Sequence, residues 1–130
     1  MTETFSFNSD SLEKVKFALS KYPEDRKQSA VMSLLDIAQR QNGGWLSKSA
    51  IEHVASHLEM PYIKVYEIVT FYSMYYTTPV GKYFVQVCTT TPCWLKGSDE
   101  VVKACKEIIS EKQNELSNDG LFSWMEVECL

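Results

Sequence analysis

Between residues 12 and 72 the apolar positions recur three and four apart, whereas at Tyr83, Val85 and Val87 they alternate at every second position. That change of period constrains the fold more than any other feature, because a helical stripe and a strand face cannot be exchanged. It predicts a chain of the α+β or α/β class in two parts: an N-terminal helical bundle over residues 1–78, then a smaller strand-bearing domain over 79–130. A length of 130 residues leaves room for one small domain carrying a helical appendage, not for two independent enzymes.

The helical half divides into four segments. Asp10 and Glu13 form a D-x-x-E box, and Leu12, Val15 and Leu19 recur at helical spacing up to Tyr22-Pro23, which predicts a short first helix. Ala30, Val31, Leu34, Leu35 and Ala38 make a second stripe, closed by Asn42-Gly43-Gly44, residues that tolerate positive φ. Ser47 can cap a third helix with an inner face of Ala50, Ile51, Val54, Ala55 and Leu58. Pro61 suits the first turn of a fourth, carrying Val65, Ile68, Val69 and Tyr72.

After the turn Thr77-Thr78-Pro79-Val80-Gly81, the residues Tyr83, Val85 and Val87 alternate with Phe84 and Gln86 as a strand does. Gly97-Ser98-Asp99-Glu100 opens a further helix with acid at its positive end and Val101, Val102, Cys105, Ile108 and Ile109 as the expected buried stripe. Asn118-Asp119-Gly120 marks a turn before a β-rich run from Leu121 to Val127. Strand, helix and strand predict a βαβ unit with parallel pairing and a right-handed crossover. Two strands leave an apolar face and open edges, so further strands or a partner are expected to cover them.

Charge and hydropathy exclude several classes. Residues 1–65 carry eight basic and eight acidic groups, and residues 66–130 five basic and nine acidic. The cysteine-bearing half is therefore acidic, which argues against a phosphate-backbone partner. The third and fourth helices imitate a helix-turn-helix through His57-Leu58-Glu59-Met60-Pro61, yet residues 61–72 offer Lys64 and no Arg, Asn or Gln, with Glu67 set against phosphate. No apolar run approaches the roughly 20 residues of a membrane span. The start has neither a secretory pattern nor an Arg-rich transit pattern, so a bacterial cytoplasmic setting is expected.

The four cysteines, Cys88, Cys93, Cys105 and Cys129, all fall in the second half. Without a secretory context they read as ligands, thiols or core residues rather than a disulfide framework. Cys88 closes the first strand, Cys93 follows in a Pro-containing loop, and Cys129 closes the second strand, so parallel pairing brings the three to one rim. Soft sulfur donors favour iron–sulfur clusters, zinc or copper(I). From the C-x4-C spacing alone, a cluster, a zinc site, a reactive dithiol and coincidence all remain open. Cys105 lies on an apolar stripe and reads as core.

The stretch Cys88-Thr89-Thr90-Thr91-Pro92-Cys93-Trp94-Leu95-Lys96-Gly97-Ser98-Asp99-Glu100 is more specific than that spacing. With Val127-Glu128-Cys129-Leu130 and Val65-Tyr66-Glu67-Ile68-Val69-Thr70-Phe71-Tyr72-Ser73-Met74, it resembles the small iron–sulfur subunit of the flavoprotein module of NADH:quinone oxidoreductase, over nearly the whole chain. The resemblance implies a helical bundle followed by a thioredoxin-like ferredoxin domain, present here as its first βαβ part. It implies one [2Fe–2S] cluster, with Cys88 and Cys93 as the first ligand pair and Cys129 as the first member of the second. The family pattern continues with another cysteine after three intervening residues, so the fourth ligand is expected beyond residue 130. It also implies a larger partner subunit that binds NADH and FMN, with this cluster near the flavin and off the main electron route. The chain itself then carries no catalytic base, is not expected to oxidise NADH alone, and reaches the cytoplasmic side of the membrane only through its complex.

Other residues admit two readings each. Thr89, Thr90 and Thr91 could donate to cluster sulfurs or merely cap the loop. Trp94 and Leu95 could exclude water from the site or pack under the sheet. His53 and His57 stand four apart but lack the H-E-x-x-H pattern and a third ligand, which favours a solvated helix face. Tyr62, Tyr66, Phe71, Tyr72, Tyr75 and Tyr76 suit partner and core packing together. The enzymatic rival is a thioredoxin-like thiol protein, which would normally use C-x-x-C.

Overall fold

The computed structural model describes residues 4–129; the start Met1-Thr2-Glu3 and the last motif residue, Leu130, lie outside the described residues. Contacts divide the chain into two compact units, Met1–Thr78 and Pro79–Leu130.

In the first unit α1 (Ser9–Ser20), α2 (Val31–Gln41), α3 (Lys48–Leu58) and α4 (Tyr62–Phe71) are joined by short links, one of them a 3-10 segment over Glu24–Ala30. The cap of α1 is Asn8, whose side chain accepts from the Ser11 amide at 2.8 Å, two residues ahead of the expected box. Asp10 is left in the first turn, where its charge favours the positive helix end. The α2 and α3 stripes are buried as their spacing predicts, with Leu34, Leu35, Ala38, Ala50, Val54 and Leu58 all at 0% exposure. Asn42 ends α2 by donating to the Ala38 carbonyl, and Gly43 follows at φ 78°. Ser47 caps α3 by accepting from Ala50.

Pro61 stands just before α4 rather than inside it, and Tyr72 lies past its end in extended backbone. Val65 and Val69 reach the core, while Tyr72 is partly exposed. Tyr75 is buried and donates its hydroxyl to the Met32 carbonyl at 3.1 Å. Burial, with Asp36 and Tyr72 nearby, pushes its phenol up to about 12.

The His53/His57 pair does not form a solvated face. Phe7 lies against both rings, with centroids 4.9 Å from His53 and 5.3 Å from His57. The Phe7 amide donates to His53 Nε2 at 3.4 Å. The chain ahead of α1 thus covers this face with aromatic surface, which the helical spacing of α3 alone could not reveal.

The second unit contains β1 (Tyr83–Cys88), α5 (Thr91–Leu95), α6 (Ser98–Ile108) and β2 (Phe122–Val127). The strands pair in parallel from Tyr83 opposite Phe122 to Cys88 opposite Val127. Their core is small: Val87, Cys105 and Trp124, with Val85, Val102 and Ile109 packed against it. Only part of the expected α6 stripe is covered. Val101 is 50% and Ile108 80% exposed, because one helix over two strands shields a stripe through Val102, Cys105 and Ile109 and leaves its flank open.

The edge of β2 is not open. The Asn114 amide donates to the Trp124 carbonyl at 2.9 Å and the Ser117 amide to the Phe122 carbonyl at 2.8 Å. The Gln113 side chain accepts from the Glu126 amide. The connection after α6 therefore covers this edge itself, which hydrophobic periodicity cannot register because the covering residues are polar.

Candidate iron–sulfur site

Parallel register brings the ends of β1 and β2 to one rim, where the Thr89 amide donates to the Val127 carbonyl at 3.3 Å. Cys88 is the last residue of β1, and Cys129 stands two residues past the end of β2. Cys93 is delivered by a helical turn, α5, rather than by the expected loop. Pro92 explains the difference: its fixed φ and missing N–H suit a first helical turn, and the Trp94 amide closes that turn onto the Thr90 carbonyl at 2.9 Å.

All four cysteines are free thiols. The Thr90 hydroxyl lies 3.0 Å from the Cys88 sulfur, and Thr90, followed by the neighbouring Cys93 and Cys129 thiols, lowers the Cys88 thiol from its usual range. The Cys93 thiol is pushed up, chiefly by donating to Cys88 and then by desolvation. The Cys93 and Cys129 thiols are near enough to act on Cys88 and on one another. Cys105 is not with them. It is 7% exposed in the core beside Trp124, and burial raises its thiol.

Among the described residues, no three His, Cys, Asp or Glu side chains converge as a cage for a single metal ion. A two-iron cluster divides its four thiolates between two irons rather than drawing them all to one.

Trp94 and Leu95 do not pack under the sheet. They are 54% and 72% exposed, and the Trp94 indole donates to Asp99 Oδ2 at 3.1 Å. Thr90 is singled out by a hydroxyl 3.0 Å from the Cys88 sulfur. Three consecutive threonines in the sequence do not distinguish it, although its place two residues after a cysteine suits a local side-chain hydrogen bond.

In the first unit, Lys64 of the imitated recognition helix pairs with Glu67 at 3.6 Å, which further weakens any phosphate-binding role.

Residues 15–130 match the family described as thioredoxin-like [2Fe–2S] ferredoxin. The chain is 54% identical over 127 residues to a protein of Rickettsia typhi named as a subunit of NADH-quinone oxidoreductase, covering 98% of this chain and 75% of that one. It is 52% identical to the protein of the same name from Rickettsia prowazekii, covering 98% of this chain and 72% of that one. The mitochondrial NADH dehydrogenase [ubiquinone] flavoprotein 2 of Dictyostelium discoideum is 47% identical over 126 residues, covering 97% of this chain and 51% of that one.

The residues present fit the group that this family's description names. Three unoxidised thiols stand at the strand ends and the turn beside them, soft donors of the kind iron takes, and the Thr90 hydroxyl lies 3.0 Å from the Cys88 sulfur. Sequence match and thiol chemistry agree from the first helix to the end of the second strand: the chain belongs to the thioredoxin-like [2Fe–2S] ferredoxin family.

Proposed function

We infer that the chain is the small electron-transfer subunit of an NADH–quinone oxidoreductase and that Cys88, Cys93 and Cys129 hold its [2Fe–2S] cluster. The observation that carries this reading is the parallel register that sets Cys88, at the end of β1, opposite Val127, two residues before Cys129, in a chain so similar to proteins named for that enzyme. Cys88 and Cys93 form the first ligand pair and Cys129 opens the second. Cys105 is committed to the core beside Trp124 and stays out of this ligand set.

A bound cluster supplies one-electron transfer, and the polypeptide supplies the ligands, their burial and their hydrogen bonds. β1 and β2 fix Cys88 and Cys129, and α5 turns Cys93 toward them. Nothing in this arrangement needs a general acid or base, and NADH oxidation belongs to the assembled enzyme.

The partner in this reading is the larger subunit that binds NADH and FMN. The surface of α4 and the residues after it supports it: Ile63, Tyr66, Phe71, Tyr72 and Met74 remain exposed, Phe71 at 79%. Such aromatic and methionine surface resembles an interface core more than a solvated helix face. No helix among the described residues is long and apolar enough to cross a membrane; the same reading holds the chain at the cytoplasmic side of a bacterial inner membrane through the rest of the complex.

The test is a cysteine series in the assembled complex, with iron and acid-labile sulfide measured per chain. Cys88→Ala, Cys93→Ala and Cys129→Ala are each expected to lose both, whereas Cys105→Ser keeps them. Loss of iron in a folded Cys105→Ser protein, or full retention in Cys88→Ala, would overturn the ligand assignment.

A further inference from the structure

Thr90 occupies the position from which a threonine ordinarily caps a helix, with φ −70° and ψ 167° directly before α5. A capping hydroxyl accepts from an amide in the first turn. Thr90 makes no such bond. Its Oγ1 lies instead 3.0 Å from the Cys88 sulfur, a contact that no other threonine hydroxyl makes with a cysteine among the described hydrogen bonds.

The direction of this bond follows from coordination chemistry. In the free thiol either atom can donate. An iron-bound cysteine sulfur has no proton, so the Thr90 hydroxyl must then be the donor. The hydroxyl retains its lone pairs for other partners, and no bond needs to break for it to turn its hydrogen toward Cys88.

A donor aimed at a ligand sulfur interacts more strongly when the iron centre carries an additional electron. A bound cluster would take up one electron from a one-electron donor, one ferric ion becoming ferrous, and no proton would leave Thr90. Cys88 is partly shielded from water, so the electrostatic difference is not fully screened.

Resting on the reading of Cys88 as a ligand, we propose that Thr90 is a positioning residue whose hydroxyl raises the reduction potential of the cluster through Cys88. Its neighbours Thr89 and Thr91 do not share this role. Thr90→Val preserves the shape and the backbone amide but removes the donor, while Thr90→Ser preserves the donor.

The test is a redox titration of the cluster in the assembled complex, followed by electron paramagnetic resonance, for the wild type and both variants at equal iron and sulfide content. Thr90→Val is expected to disfavour reduction by about tenfold, which is about 59 mV for a one-electron couple. Thr90→Ser is expected to keep the wild-type potential. After exchange into deuterated water, a deuteron coupled to the reduced centre should appear in the wild type and Thr90→Ser and be missing in Thr90→Val. Thr90→Ala supplies a second hydroxyl-free variant should valine disturb the turn. An unchanged potential in the hydroxyl-free variants, or an equal shift in Thr90→Ser, overturns the role of Thr90 and leaves the ligand assignment standing. Absence of any two-iron signal in the wild-type complex overturns both.

Discussion

The Trp124 indole donates to the Ser110 carbonyl at 2.8 Å, joining the middle of β2 to the chain just past α6. Trp124 is fully buried, and Cys105 packs in the same cluster. This tie holds the helix against the strands whose ends carry Cys88 and Cys129. Trp124→Ala should destabilise the second unit by about 3–5 kcal/mol, the usual cost of removing a large buried aromatic ring. The check is denaturant unfolding followed by amide exchange in residues 83–127. A loss below about 1 kcal/mol would show that the small core does not depend on this side chain.

Gly81 makes a close approach that no side chain could share. A Cβ placed there would lie 2.6 Å from the Phe122 carbonyl carbon, and the Gly81 amide donates to the buried Ser123 hydroxyl at 2.9 Å. The clash would be with backbone, so rotamer changes cannot relieve it. Gly81→Ala should cost about 1–3 kcal/mol through overpacking and should weaken pairing at the start of β1. Thermal unfolding and exchange of the Tyr83 amide would measure this, and an unaltered protein would contradict the described approach.

The first unit should respond to acid through His53. Burial, followed by the neighbouring His57, lowers the His53 pKa from its ordinary 6.5. The unfolded chain therefore takes up the proton first as pH falls. The stabilising contribution is complete above about pH 6.5 and is lost as pH drops through the lower folded value. Protonation also removes the acceptor used by the Phe7 amide. The protection of the Phe7 amide against exchange, taken relative to the intrinsic rate at each pH, should fall on acidification below this range, and His53→Gln should remove that pH dependence. A fall of equal size in both proteins would reject the assignment.

The legible parts of the fold were those where spacing and burial agree. Leu34, Leu35, Val54 and Leu58 recur at helical intervals and are fully buried, and Ser47 caps α3 from the position its residue type favours. The parallel pairing that sets Cys88 opposite Val127, two residues before Cys129, was legible in the strand–helix–strand pattern. Other features depended on tertiary neighbours. Asn8 rather than Asp10 caps α1, and Phe7 covers His57 and, 46 residues away in sequence, His53. Val101 and Ile108 have core-like spacing but remain exposed because the sheet beneath α6 is narrow. Thr90 could not be separated from Thr89 and Thr91 until its hydroxyl was seen beside sulfur.

The most direct measurement is the content and spin signal of the centre in the anaerobically purified complex. Iron and acid-labile sulfide should be present in equal amounts, two of each per copy of this chain, as a [2Fe–2S] cluster requires. Reduction should give a two-iron electron paramagnetic resonance signal that disappears with Cys88→Ala while the complex remains assembled. Zinc without sulfide, or a two-iron signal from this chain that survives in Cys88→Ala, would contradict the account.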